Sequence, residues 1–232
     1  MVKQVEYIRL KDINEMKRVL NNRVLVKTRQ RVTEERTASG IYKIAPSEVD
    51  WRPAEHTNRI SEVVLVPDRL FYSEAPKDWD SMPWDTDMEL QKGDIVWHDF
   101  LAAHNCPVAT TDLQPDEEYK LLSYQDIYLA KRGEELICLN GYVLCEEVWE
   151  ESLLIERSVN KKLGKVALLG NPNRSYRQSK QSDEGVDIKV GDVIIKRRKD
   201  IHILLESEDH RVLDKPYFRI QRRDIYGILE TS

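Results

Sequence analysis

The amino-acid sequence predicts an all-β protein made of two similar halves, each a small barrel or sandwich of short strands, and three observations carry that prediction. The phrase "LQKGDIVWHD" (residues 90–99) returns as "IKVGDVIIKR" (residues 188–197), which sets Gly93 on Gly191 at an offset of 191 − 93 = 98. Further along, "YQDIYLAK" (residues 124–131) and "RRDIYGIL" (residues 222–229) set Asp126 on Asp224 at the same offset, 224 − 126 = 98. Two phrases that keep one spacing mark a duplication. Finally, apolar and β-branched residues come in runs of strand length bounded by Gly, Asn, Asp or Pro.

Taken in order, "RVLVKT" (23–28), "EVVLVP" (62–67), "DIVWHD" (94–99), "YKLLSY" (119–124) and "DIYLAK" (126–131) read as the strands of the first half. The second half supplies "YVLCEE" (142–147), "KVALLG" (165–170), "DVIIKR" (192–197), "HILLES" (202–207), "YFRIQR" (217–222) and "DIYGIL" (224–229). One helix is expected over residues 12–20, where Asp12 stands as N-cap, Glu15 follows three residues on, and Ile13, Met16, Val19 and Leu20 form an apolar stripe. The repeat reaches back through Val24 on Val143 (143 − 24 = 119) and Val64 on Ala167 (167 − 64 = 103). The first half therefore carries 119 − 103 = 16 extra residues after its first strand and 103 − 98 = 5 more before the Gly-Asp turn. Insertions confined to loops are how duplicated domains diverge. Two domains, 1–132 and 133–232, follow, joined through the short "KRGEE" junction.

The 232 residues suffice for two such domains. Charged residues make up 33%, apolar ones 41%, and the net charge is −5, which describes a soluble protein and argues against a general nucleic-acid binder, whose field should be positive. The opening "MVKQVEYIRLKDINEMKRVL" lacks the apolar core of a signal peptide, and no run approaches the roughly 20 apolar residues of a spanning helix. A cytoplasmic protein without membrane partners is expected. Cys106, Cys138 and Cys145 are an odd number without C-x-x-C spacing, so neither a disulfide framework nor a zinc site is suggested, and Cys138 and Cys145 read as buried, inert thiols.

Catalysis finds little support. No G-x-G-x-x-G fingerprint is present and zinc ligands do not cluster. His56, His98, His104, His202 and His210 are scattered, with His98 and His202 read as polar positions flanking strands. No cofactor is implied, and a non-enzymatic role is expected.

Two loops draw notice. Residues 33–58 form a long polar connection, yet they hold Ile41, Tyr42 and Ile44 within a few positions, which an idle solvated loop gains nothing by exposing. A strand edge packed on its own barrel is the other reading of those residues. The excursion at 72–90 carries six acids, one Lys and both Trp79 and Trp84, whereas its counterpart at 171–185 is basic at Arg174, Arg177 and Lys180. Opposite charge lets these two loops meet, with a Trp over an Arg; otherwise they are two unrelated solvated loops.

The order of landmarks in each half is a strand, a polar loop with a few apolar residues, an "E/K-V-x-L-V/L" strand, a polar excursion, a Gly-Asp turn and a closing "D-I-Y" strand. That order resembles the GroES co-chaperonin family across roughly residues 21–232. The resemblance implies two tandem GroES-like small β-barrels that form a homo-oligomeric ring and cap the folding chamber of a GroEL-type chaperonin. It places the family's mobile, chaperonin-binding loop at Ser39, Gly40, Ile41, Tyr42 and Ile44, with Lys43 interrupting the apolar cluster. The second half has no Ser-Gly-Ile signature and offers Leu153, Leu154 and Ile155 as a second loop. A ring-forming or collar-type structural protein, for example of a virus particle, is the competing expectation. In either case the ring is expected to join the final strand "DIYGILE" (224–230) to "EYIRL" (6–10) or "NRVLVK" at the start of the next chain.

Overall fold

The computed structural model describes residues 13, 15–29, 34–37, 40–43, 59–75, 80–99, 102, 106, 108–110, 117–150, 158–197, 201–203 and 217–229. The first half contributes β1 (Arg23–Arg29), β2 (Glu34–Thr37), β3 (Gly40–Lys43), β4 (Ile60–Leu65), β5 (Trp84–Asp85), β6 (Ile95–His98), β7 (Val108–Thr110), β8 (Glu117–Ser123), β9 (Ile127–Arg132) and β10 (Glu135–Cys138). The second contributes β11 (Tyr142–Glu146), β12 (Trp149–Glu150), β13 (Ser158–Val159), β14 (Leu163–Leu169), β15 (Ser175–Tyr176), β16 (Val193–Lys196), β17 (Ile201–Ile203), β18 (Tyr217–Gln221) and β19 (Ile225–Leu229).

Two main antiparallel sheets result, ordered β10-β9-β6-β4-β1-β8-β7 and β17-β18-β11-β14-β16-β19. Read with β1 on β11, β4 on β14, β6 on β16, β7 on β17, β8 on β18 and β9 on β19, the two orders are the same, and β10 is the one addition. Among the described residues neither ladder returns to its first strand, so the hydrogen bonds draw open sheets. β2–β3, β12–β13 and β5–β15 form further two-stranded sheets.

The duplication extends to irregularities. The ladder slips between Leu25 and Val26 in β1 and between Leu144 and Cys145 in β11. It slips again between Trp97 and His98 in β6 and between Ile195 and Lys196 in β16. Bulges re-aim side chains, so their retention keeps the same positions facing inward in both sheets. The Gly-Asp turns explain why that phrase survived duplication. Gly93 and Gly191 adopt φ of +91° and +98°, a region where a side chain is strained. The Asp94 and Asp192 carboxylates each accept a bond from the backbone N–H three residues back, of Gln91 and Lys189, at 2.8 Å. At the closing phrase a single 3-10 turn, Tyr124–Asp126 or Arg222–Asp224, leads into β9 or β19.

β1 is buried on both faces at Val24, Leu25 and Val26. Leu25 packs with Ile13 and Val19, flanked by Met16, Val64 and Leu65, so the apolar stripe at 13–19 does reach the core. It does so without the expected helix: Ile13 is helical, but Met16–Leu20 is not, and the Met16 N–H closes a turn on the Ile13 carbonyl at 3.0 Å. Apolar residues three apart also suit an irregular cover laid across one strand, which is the arrangement here. In the second sheet Val143, Cys145, Val166, Ile188, Ile194, Phe218 and Ile220 form the core cluster.

One expected edge is corrected. "NRVLVK" is β1, flanked by β4 and β8, so it has no free backbone to offer a neighbour. Residues 6–10 lie outside the described residues. β19 ends its sheet, with β16 on its one paired side among the described residues.

The chain divides into two compact units, one of residues 1–71, 78–82 and 87–136, the other of residues 72–77, 83–86 and 137–232. Two pieces of the first half's excursion thus belong to the second unit. The position after Arg132 falls in the turn between β9 and β10. Among the described residues no helix is long and apolar enough to cross a membrane.

Candidate functional site

Gly40, Ile41 and Tyr42 lie in β3, paired with β2 through Thr37, Arg36 and Glu35 respectively. Ser39 and Ile44 lie outside the described residues. The hairpin forms a two-stranded sheet of its own. After the first strand of the second half, at the matching place, stands β12–β13, where Trp149 faces Val159 and Glu150 faces Ser158. Leu153, Leu154 and Ile155 lie outside the described residues. Trp149, 58% exposed, is a candidate anchor that the sequence reading passed over. An exposed Trp on a hairpin is the kind of amphipathic surface that partners bury. The available signal was its place beside the apolar run at Leu153.

The acidic excursion and the basic loop do meet. β5 pairs with β15 by Trp84 on Tyr176 and Asp85 on Ser175. Arg174 forks onto Asp85, with Nε donating to Oδ2 at 3.0 Å and Nη2 to Oδ1 at 2.8 Å. The backbone N–H of Arg174 also donates to the Asp85 carbonyl at 2.9 Å, and that of Arg177 to Pro83 at 3.0 Å. Lys180 adds a long, exposed ion pair to Glu74. The aromatic detail differs from expectation. Trp84 stacks edge-on with Tyr142 and Tyr176, at 6.2 and 6.4 Å between centroids, and donates its indole N–H to Asn140 Oδ1 at 3.1 Å. The cations over these rings are Arg223, 5.1 Å from the centre of Tyr176, and Arg219, 5.2 Å from that of Tyr142, among the described residues. Trp79 lies outside the described residues.

Beneath Trp84 is a buried polar group set. Tyr176 Oη donates to Asp183 Oδ2 at 2.8 Å, Asn173 Nδ2 donates to Tyr176 Oη at 3.0 Å, and Gln221 Oε1 lies 3.2 Å from the same hydroxyl. Burial raises both the Asp183 carboxyl and the Tyr176 phenol above their usual ranges. These bonds brace the loop.

His98 and the three cysteines read as core. His98 is a correction: it is fully buried, with Nε2 2.9 Å from Ser61 Oγ, and burial holds its pKa down at about 4. His202 lies in β17, while His56, His104 and His210 lie outside the described residues. Cys106, Cys138 and Cys145 are all buried, and burial pushes the Cys145 thiol up to about 12. Among the described residues no His, Cys, Asp and Glu group could hold a metal ion. The chain matches no protein-family model, and no curated protein matches it.

Proposed function

We propose that the chain is a non-enzymatic co-chaperonin: two GroES-like barrels in one polypeptide, assembled as a ring that caps a GroEL-type chaperonin. The observation that carries this reading is the doubled strand order, with a separate hairpin inserted after the first strand of each half. A hairpin outside the main sheet can present apolar residues to a partner without drawing them from the core. Burying each of Ile41, Tyr42 and Ile44 on a partner is worth about 1.5 to 3 kcal/mol, so one hairpin binds weakly and several on a ring bind well. A structural ring or collar is the second reading, favoured by the pairing of β3 with β2, which gives Ile41 and Tyr42 an ordered backbone place.

The discriminating experiment is capture of the full chain on a purified GroEL-type chaperonin, with and without ATP. ATP-dependent capture that is lost when Ile41, Tyr42 and Ile44 are all replaced by Ser, at unchanged melting temperature, supports the co-chaperonin. Absence of capture by a self-assembled wild-type protein refutes it in favour of the structural ring, and a collapse in melting temperature shows that the three residues belong to the core.

A further inference from the structure

The turn that opens each half has the same backbone in both and different surroundings. Asn21 and Asn22 before β1, and Asn140 and Gly141 before β11, all adopt positive φ, between +56° and +68°. In the second half this turn is closed over. Gly170 donates its N–H to the Tyr142 carbonyl at 2.9 Å, and a Cβ there would lie 2.8 Å from the Cys138 oxygen. The residue matching Gly170 at the offset of 103 is Pro67, which has a side chain and no N–H to give. The ladders keep the same match, since Leu25 faces Leu65 as Leu144 faces Leu168. The first half therefore stays open at this place. Leu20 is 63% exposed, where its counterpart Leu139 (139 − 20 = 119) is fully buried. A cavity of 460 Å3 stands there, lined by residues 18–21, 67–69 and 71. Its aromatic wall is held ready. Phe71 is half exposed, yet the buried Asn22 accepts its N–H on Oδ1 and donates Nδ2 to its carbonyl at 3.0 Å and to that of Asp80 at 2.7 Å. A ring on a pinned backbone loses little freedom on binding. Arg18 pairs with Asp68 at 3.8 Å, while Arg69 has no ion-pair partner among the described residues.

We propose that this cavity is a binding site for a small aromatic acid, a ring carrying a carboxylate on a short chain. The ring lies among Val19, Leu20, Pro67 and Phe71, and the Arg69 guanidinium forks onto the carboxylate, with Arg18 adding positive field at the rim. Charge decides against an amine. Of the three charged groups on the lining two are Arg, and the one acid, Asp68, already faces Arg18. Size decides for a small molecule over a protein segment. The volume falls within the range of about 300 to 1,000 Å3 usual for small-ligand pockets, whereas a stable protein interface takes about 20 to 30 residues a side and this lining has eight. The site lies within one unit and uses nothing of the co-chaperonin reading, so each stands or falls without the other.

The test is saturation-transfer difference NMR of the full chain with 4-phenylbutyrate, and with 4-phenylbutylamine as a similar ring of opposite charge. The acid should show saturable transfer and the amine none. Arg69→Gln should weaken the acid by about tenfold, the loss of a charge-assisted bond. Pro67→Gly, which installs the residue that closes the second half, should abolish the signal, and Val190→Ser, exposed in the other unit, should leave it unchanged. Circular dichroism melting curves verify folding, and Leu20→Glu, at an exposed position, replaces Pro67→Gly if that variant fails to fold. Several results overturn the proposal: no saturable transfer from wild type, as when a second copy or residues 1–12 fill the cavity; equal binding of the amine; loss of binding in Val190→Ser; or an affinity for the acid that neither Arg69→Gln nor the closing variant changes.

Discussion

The same inward position is filled by His98 in the first half and by Lys196 in the second, and the neighbouring strand answers each differently. His98 is neutralised by burial and bonded to Ser61, with Lys120 contributing a nearby positive field. Lys196 keeps its reach, donating Nζ to the Lys161 carbonyl at 2.8 Å and lying 4.5 Å from the Phe218 ring centre. Phe218 stands where the first half has Lys120, and Gly164 stands where it has Ser61. The fold therefore fixes backbone demands more strictly than side-chain identities. Gly93 and Gly191 remain glycine, while three facing positions were exchanged as a set.

The largest expected effect concerns that exchanged set. His98 has a folded pKa of about 4, below its usual 6.5, so the unfolded chain binds the proton more readily between those values. Stability is then complete above pH 6.5 and falls as pH drops towards 4, by about 3 kcal/mol in all. His98→Gln retains a bond to Ser61 without titrating. Denaturant unfolding across this range should show the extra slope in wild type and its loss in the variant; equal slopes would show that folding does not shift the His98 pKa.

A smaller effect is expected from making the second half resemble the first. A Cβ at Gly164 would lie 2.6 Å from Phe218 Cζ and 3.1 Å from Cys145 Cβ, so Gly164→Ser should cost about 2 kcal/mol through overpacking. Adding Phe218→Leu should recover part of the loss. A neutral single variant would mean that Phe218 has room to move, and that the set was not exchanged under steric constraint.

The smallest concerns a pair present in one half alone. Arg132 forks onto the buried Asp94, from Nε at 2.9 Å and Nη2 at 2.8 Å, whereas the residue matching Arg132 at the offset of 98 is Glu230. Arg132→Ala should lower stability by about 1 kcal/mol, less in high salt because the guanidinium is one-third exposed. A loss that salt leaves unchanged would assign the effect to packing of the side-chain stem instead.

Much of the strand content was legible because local runs and a constant offset survive in one dimension. What escaped depends on partners far along the chain. β5 and β15 are two residues each and exist by pairing with one another, so neither run declares itself. β1 looks like any strand, and its place between β4 and β8 is a matter of non-local pairing. His98 was read as a polar position flanking its strand, and strict alternation would put it on the face opposite Trp97. The slip between Trp97 and His98 breaks that alternation, and both side chains end up buried. At the candidate hairpins, Ile41 and Tyr42 were legible as unusual apolar residues in a polar stretch, but their pairing with Arg36 and Glu35 was not.

The division into units has a consequence for synthesis. Trp84 and Asp85 belong to the unit that also takes residues 72–77 and otherwise begins at residue 137, and Arg174, the partner of Asp85, follows 89 positions later. A ribosome adding about 5 to 20 residues per second needs roughly 4 to 18 seconds to cover that interval. For that time the indole of Trp84 has emerged ahead of Tyr142, Tyr176 and Asn140, its neighbours in the finished fold. A nascent chain of this protein thus carries an early-made piece in waiting, and its second unit closes around an element delivered with the first.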